Sequence, residues 1–165
     1  MNETIRSIKS RRSVRNYQTA EIPEDILEEL IDCARLAPTA RNTQPWEFII
    51  IKDKDTLDNI GKLASHGPFI KDAAACIIVC SDDYDYFLED CSAATENILI
   101  AAQSLGIGSC WVAGHGKKYA EQIKEILNIP KDIHVVSLIP LGYPENNTPG
   151  IKKRELKDII HWNHF

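Results

Sequence analysis

Several chemistries are missing from this chain. There is no Cys-x-x-Cys pair, no Gly-x-Ser-x-Gly elbow and no His-x-x-x-His spacing. These absences remove the usual redox dithiol, the hydrolase nucleophile and the common zinc arrangement. The Gly106-x-Gly108 pair lacks the third glycine and the preceding strand of a dinucleotide fingerprint. No apolar run approaches the roughly 20 residues needed to span a bilayer. Met1 to Thr4 lacks the basic-then-apolar layout of a signal peptide, so the expected location is the cytoplasm, away from membranes. Five cysteines, at 33, 76, 80, 91 and 110, read as structural thiols rather than disulfides or metal ligands. Internal repeats, linkers and low-complexity tracts are also missing.

What remains is an ordinary globular composition: 165 residues, 44% apolar and 26% charged. That length and balance suit a single domain over 1–165 with a sizeable core. The net charge of -5 argues against nucleic acid as a partner. The charge is uneven, however. Arg6, Lys9, Arg11, Arg12 and Arg15 occur with no acid among them, and Lys152-Lys153-Arg154 forms a second basic cluster. Each could be a solvated face; together they also suit an anionic ligand such as a phosphate. None of the cysteines has a lysine or histidine beside it in sequence to activate it. With no protein-borne catalytic group in view, an enzyme of this kind would carry its chemistry on a cofactor.

In chain order, Thr4–Ser10 reads as a short helix and Arg11–Tyr17 as an extended arm. Pro23 opens a helix whose Leu27, Leu30, Ile31 and Ala34 form one apolar stripe, ended by Pro38. Ala37 to Trp46 is a polar, proline-punctuated loop, by itself readable as a connector. Trp46–Ile51 and Cys76–Cys80 read as buried strands, with a helix over Thr56–Ala64 and a helical turn or two over Phe69–Ala75. Asp90–Leu105 is apolar nearly all round, which predicts burial on more than one side and hints at a subunit interface. Ser109–Ala113 and Val135–Leu141 are further strands, with a helix over Tyr119–Leu127 between them. A short helix over Leu156–Trp162 leaves an aromatic tail, Trp162 and Phe165, that should pack on something. The expected fold class is α+β, with a mostly antiparallel sheet of four to five strands flanked by helices.

Four segments, in order, resemble the FMN-dependent nitroreductase family. They are Arg11-Arg12-Ser13-Val14-Arg15-Asn16-Tyr17, Ala37 to Phe48, Ala93 to Gly114, and Leu141-Gly142-Tyr143-Pro144 with the basic cluster at 152–154. The resemblance implies an intertwined homodimer with FMN at the subunit interface. It assigns Arg11, Arg12, Ser13 and Arg15 to the FMN phosphate, ribityl chain and ring edge, with Lys153 and Arg154 adding phosphate contacts. Pro38, Thr39, Ala40 and Asn42 would reach the flavin of the other subunit, while Gln44 and Trp46 brace the loop. Trp111, Val112, Ala113 and Gly114 would run along one flavin face, and His66 falls where some relatives place an amide side chain. The site needs no metal and no catalytic side chain.

The activity implied is ping-pong oxidoreduction. NADH or NADPH delivers hydride to FMN, and a small aromatic acceptor, a nitroaromatic or quinone, then takes its place. Tyr84, Tyr86, Phe87 and His115 either cover the flavin or are surface groups. The alternatives are an FMN storage or sensor protein with little turnover, or a specialised branch of the superfamily (flavin destruction, dehalogenation or azoline oxidation).

Overall fold

The structure, a computed structural model, describes residues 2–165. Its helices begin where side chains satisfy the free amides of the first turn. Asn2 Oδ1 accepts the Ile5 N–H at 3.1 Å to start α1, Glu3–Ser10. Asp53 accepts the Thr56 N–H at 2.8 Å to start α3, Lys54–Leu63. Helix α2, Glu24–Arg35, follows Pro23 with Glu24 and Asp25 in its first turn, and Leu27, Leu30 and Ala34 turn inward. Helix α4, Phe87–Ser104, is the longest element. Helix α5, Tyr119–Leu127, ends on Asn128 in the left-handed conformation, φ 53°, with Pro130 just beyond.

Five strands form one sheet: β1 Trp46–Ile51, β2 Ala75–Ser81, β3 Gly108–Ser109, β4 Val112–Ala113 and β5 His134–Gly142. The order is β1-β2-β5-β3, with β4 also on β5, and every strand pairing is antiparallel. Strand β2 is buried throughout. Its alternate residues serve two cores. Ile77 and Val79 join Leu30, Ile98 and Ile139 on the α2/α4 side, whereas Cys76, Ile78 and Cys80 join Leu57, Ile60 and Ile123 on the α3/α5 side. Helices on both faces explain why the strand is a continuous apolar run.

The structure departs from the sequence reading in several places. Helix α4 begins at Phe87, three residues before the expected Asp90. The strand expected over Ser109–Ala113 is broken at Cys110 and Trp111 into β3 and β4, both too short to show periodicity. Strand β1, expected to be buried on both faces, lies at a sheet edge, and Ile50 is 38% exposed. The helix expected over Leu156–Trp162 is one 3-10 turn, Leu156–Asp158. Among the described residues the aromatic tail joins no core cluster: Trp162 and Phe165 are exposed, and the Phe165 ring stacks on His161. Among the described residues, no helix is long and apolar enough to cross a membrane.

Candidate functional site

The basic arm Arg11–Tyr17 is held against the end of the sheet. Ser13 forms a parallel bridge with Ser109, and the Val14 N–H donates to Ser109 O at 2.9 Å. This approach needs a residue with no side chain at 108, since a Cβ on Gly108 would lie 2.7 Å from Val14 Cγ1. Tyr17 is the second anchor. Its hydroxyl donates to Val14 O at 2.7 Å, and its ring lies against Gly142. Burial pushes this phenol far above the usual range for tyrosine.

The arm presents its guanidinium groups with little opposing charge. Arg12 donates to Lys9 O and Arg11 O at 2.9 and 2.8 Å. Arg15 donates to Ser13 O at 3.3 Å and lies 5.6 Å over the Phe69 ring. Only Arg11 approaches a carboxylate, Glu96, at 3.8 Å; among the described residues Arg12 and Arg15 pair with none. Cys110 lies beneath this cluster. Burial raises its pKa, opposed by the nearby Arg15 and Arg11. Gly150 packs on the Arg12 guanidinium, so the chain returns to the arm two residues before Lys152. Lys153 and Arg154 themselves are exposed, as is His66. Gly67 abuts Val112, which places the His66 turn beside β4. Within 111–114, Val112 and Gly114 face inward while Trp111 and Ala113 are exposed, and Tyr119 donates its hydroxyl to Ala113 O.

A cleft of about 620 Å³ is lined by Arg15, Lys52, Lys54 and Lys71, with Glu21, Asp72 and Glu145 also at its wall. Of the residues proposed from sequence, it contains Arg15 alone. Lys71 was not foreseen: it lies two residues after Phe69 on the same 3-10 turn, Pro68–Asp72, and lines the same cleft as Arg15.

The loop that carries Pro38, Thr39, Ala40 and Asn42 is built differently. A 3-10 turn, Ala40–Asn42, follows Thr39, and Arg41, Asn42 and Gln44 have φ of 57°, 58° and 50°. Left-handed geometry at three non-glycine residues is unfavourable and needs outside support. It comes from the start of α4. Both Asp90 carboxylate oxygens accept the Ala40 N–H, at 3.2 and 3.1 Å. The Tyr84 hydroxyl donates to the same carboxylate and accepts from Thr43 Oγ1 at 3.3 Å. Trp46 closes the loop by entering the core, 8% exposed. Nearby, Phe87 stacks on His134 at 4.4 Å and meets His115 edge-on at 5.3 Å, and His134 contacts Asp83 at 3.0 Å. His115 is thus an exposed turn residue that is also part of a ring cluster.

These two halves lie at opposite ends of the sheet. Trp46, after the loop, pairs with Ser81, which pairs with His134. The arm contacts Ser109 and Gly142, beside Leu141 and Ala75. Strand β2 runs from one end to the other, a length of roughly 20 Å at ~3.3 Å per residue. One chain therefore does not bring its loop and arm together.

A two-core α+β domain with a basic arm bridged to a short strand, and a helix-anchored loop at the far end, defines a recognisable class. The chain belongs to the nitroreductase family, whose model matches residues 8–76 and 64–143. It is 40% identical over 153 residues to an Archaeoglobus fulgidus protein described as a candidate NADH dehydrogenase/NAD(P)H nitroreductase, with 88% of each chain covered. A similarly described protein from Methanothermobacter thermautotrophicus is 37% identical over 96% of this chain and 86% of its own. Among solved structures, an FMN-dependent nitroreductase from Clostridium difficile superposes with a TM-score of 0.88 at 31% identity, covering 98% of this chain and 99% of that one.

Proposed function

We propose that this chain is an FMN-dependent oxidoreductase that takes hydride from NADH or NADPH and reduces nitroaromatic, quinone or similar acceptors. The observation that carries the reading is the division of the site. Arm and loop lie at opposite ends of one sheet, so a second copy of the chain is needed to bring one protomer's loop to the other's arm. A homodimer with FMN at the interface fits that geometry. The exposed tail, with Ile151, Leu156, Ile159, Ile160, Trp162 and Phe165 all in solvent, supplies apolar surface for such an association.

The donor set suits the cofactor. Arg11, Arg12 and Arg15 offer guanidinium groups that match phosphate oxygens two at a time, and two of them have no competing carboxylate. Lys153 and Arg154 lie beyond the point where Gly150 meets Arg12 and would close over the same anion. Ser13 is tied to β3 and would contribute a hydroxyl beside the ribityl chain. Arg15 and Lys71 line one cleft and would offer positive charge to the pyrimidine edge of the ring, which would favour negative charge developing there. Trp111 and Ala113 are the exposed members of the segment that would line one ring face, with His66 at its margin. FMN, when bound, supplies the hydride chemistry; the protein binds it, orients it and shapes the space beside it. The five free thiols suit a reducing cytoplasm.

The deciding experiment is an anaerobic absorbance titration with FMN, followed by NADH and then NADPH. The expected result is a bound-flavin spectrum that bleaches with at least one nicotinamide. Bound flavin that neither donor bleaches would move the reading to a storage or sensor protein. No bound flavin would end it.

A further inference from the structure

We propose that Asp90 is the positioning residue for the 39–44 loop, and through that loop for the part of the flavin site that one subunit supplies to its partner. The second half rests on the function proposed above. The first half stands on geometry alone.

Asp90 is a carboxylate 6% exposed on the first turn of α4. It spends its acceptors on a segment 50 residues away: both oxygens take the Ala40 N–H. Tyr84, whose hydroxyl donates to the same carboxylate, extends the hold to Thr43 Oγ1. The two grips fall on either side of Arg41 and Asn42, two of the three loop residues in left-handed geometry. Inside the loop, Asn42 N donates to Thr39 O at 3.3 Å, Thr43 N to Ala40 O at 3.2 Å, Gln44 N to Thr39 Oγ1 at 3.3 Å, and Thr43 Oγ1 to Ala40 O at 3.0 Å. None of these bonds uses the Ala40 N–H, which is left to the outside acceptor. That acceptor is mounted on the helix that packs on both α2 and the sheet, so the loop takes its place from an element fixed on two sides. A negative side chain also suits this end of α4, where the helix dipole is positive.

The test combines amide hydrogen exchange on the FMN-free protein with FMN titration by fluorescence, using wild type, Asp90→Ala, Asp90→Asn and Tyr84→Phe. The Ala40 amide should be protected in wild type and exchange at least roughly tenfold faster in Asp90→Ala. The FMN Kd should rise roughly tenfold or more, as expected when hydrogen bonds to a charged acceptor are lost. Asp90→Asn keeps one acceptor oxygen and should fall between the two. Tyr84→Phe keeps the ring and the charge and should give a several-fold effect even if Asp90→Ala folds poorly. If Asp90 merely stabilised α4, the variants would melt earlier while Ala40 exchange and FMN affinity in the folded protein stayed at wild-type values. That pattern would overturn the proposal. If wild type bound no FMN, the functional reading would fall and exchange at Ala40 would decide the anchor: accelerated in Asp90→Ala upholds it, unchanged overturns it.

Discussion

Single residues set how closely the arm approaches the sheet and what it offers a ligand. Arg11 and Arg15 project from backbone that Ser13 and Val14 tie to Ser109. Truncating either arginine removes charge without loosening that tie. Arg11→Ala and Arg15→Ala should each weaken FMN binding by about 1.5–3 kcal/mol, read from the titration Kd, with far-UV spectra and subunit mass unchanged. Gly108 works the other way, through space. An alanine there would place its Cβ 2.7 Å from Val14 Cγ1, and valine has little rotamer freedom with which to yield. Gly108→Ala should lose about 1–3 kcal/mol in urea denaturation.

Among the elements, β2 is buried from end to end, flanked by β1 and β5, and feeds both cores. Ile78→Ala should cost about 2–5 kcal/mol, seen as a lower urea midpoint with unchanged slope. The same strand carries Cys76 and Cys80, whose thiols burial pushes up to about 12, and it faces Cys91, pushed up to about 11, from an ordinary value of 9.0. Unfolding lets these thiols ionise near 9, so above that pH the folded state binds more protons than the unfolded one. Stability is therefore whole below pH 9 and falls as pH rises toward the folded values. Tyr17, also raised, acts in the same direction above the ordinary phenol value of 10.0. Urea midpoints measured from about pH 8 to about pH 10.5 should fall steadily, and less steeply in a Cys76→Ala, Cys80→Ala variant.

At the scale of the whole molecule, the proposed homodimer rests on the exposed tail. Residues 151–165 are all exposed, yet they include six large apolar side chains. A chain lacking 151–165 loses no buried residue of its own. It should keep its helical spectrum while sedimenting as a monomer where the full chain sediments as a dimer, and it should bind FMN more weakly. A truncated chain that remained dimeric would show that the tail does not hold the two copies together.

Much of this protein was legible in the sequence because the relevant physics is local. The apolar stripe of α2, the run of β2, the turn at Pro38 and the cationic arm are each written within a few adjacent residues. Periodicity and charge are properties of neighbours in the chain. The family resemblance was legible for the same reason, as four short signatures. Tertiary structure alone decided the rest. No local pattern joins Asp90 to Ala40 or Tyr84 to Thr43, because a buried carboxylate chooses its donors by where packing puts them. Nothing near Lys71 in sequence announces Arg15. The split of β3 from β4 and the edge position of β1 depend on which strand pairs with which. Above all, the separation of loop and arm by the length of β2 is a fact of topology: hydrogen-bond register fixes it, and residue identity does not display it.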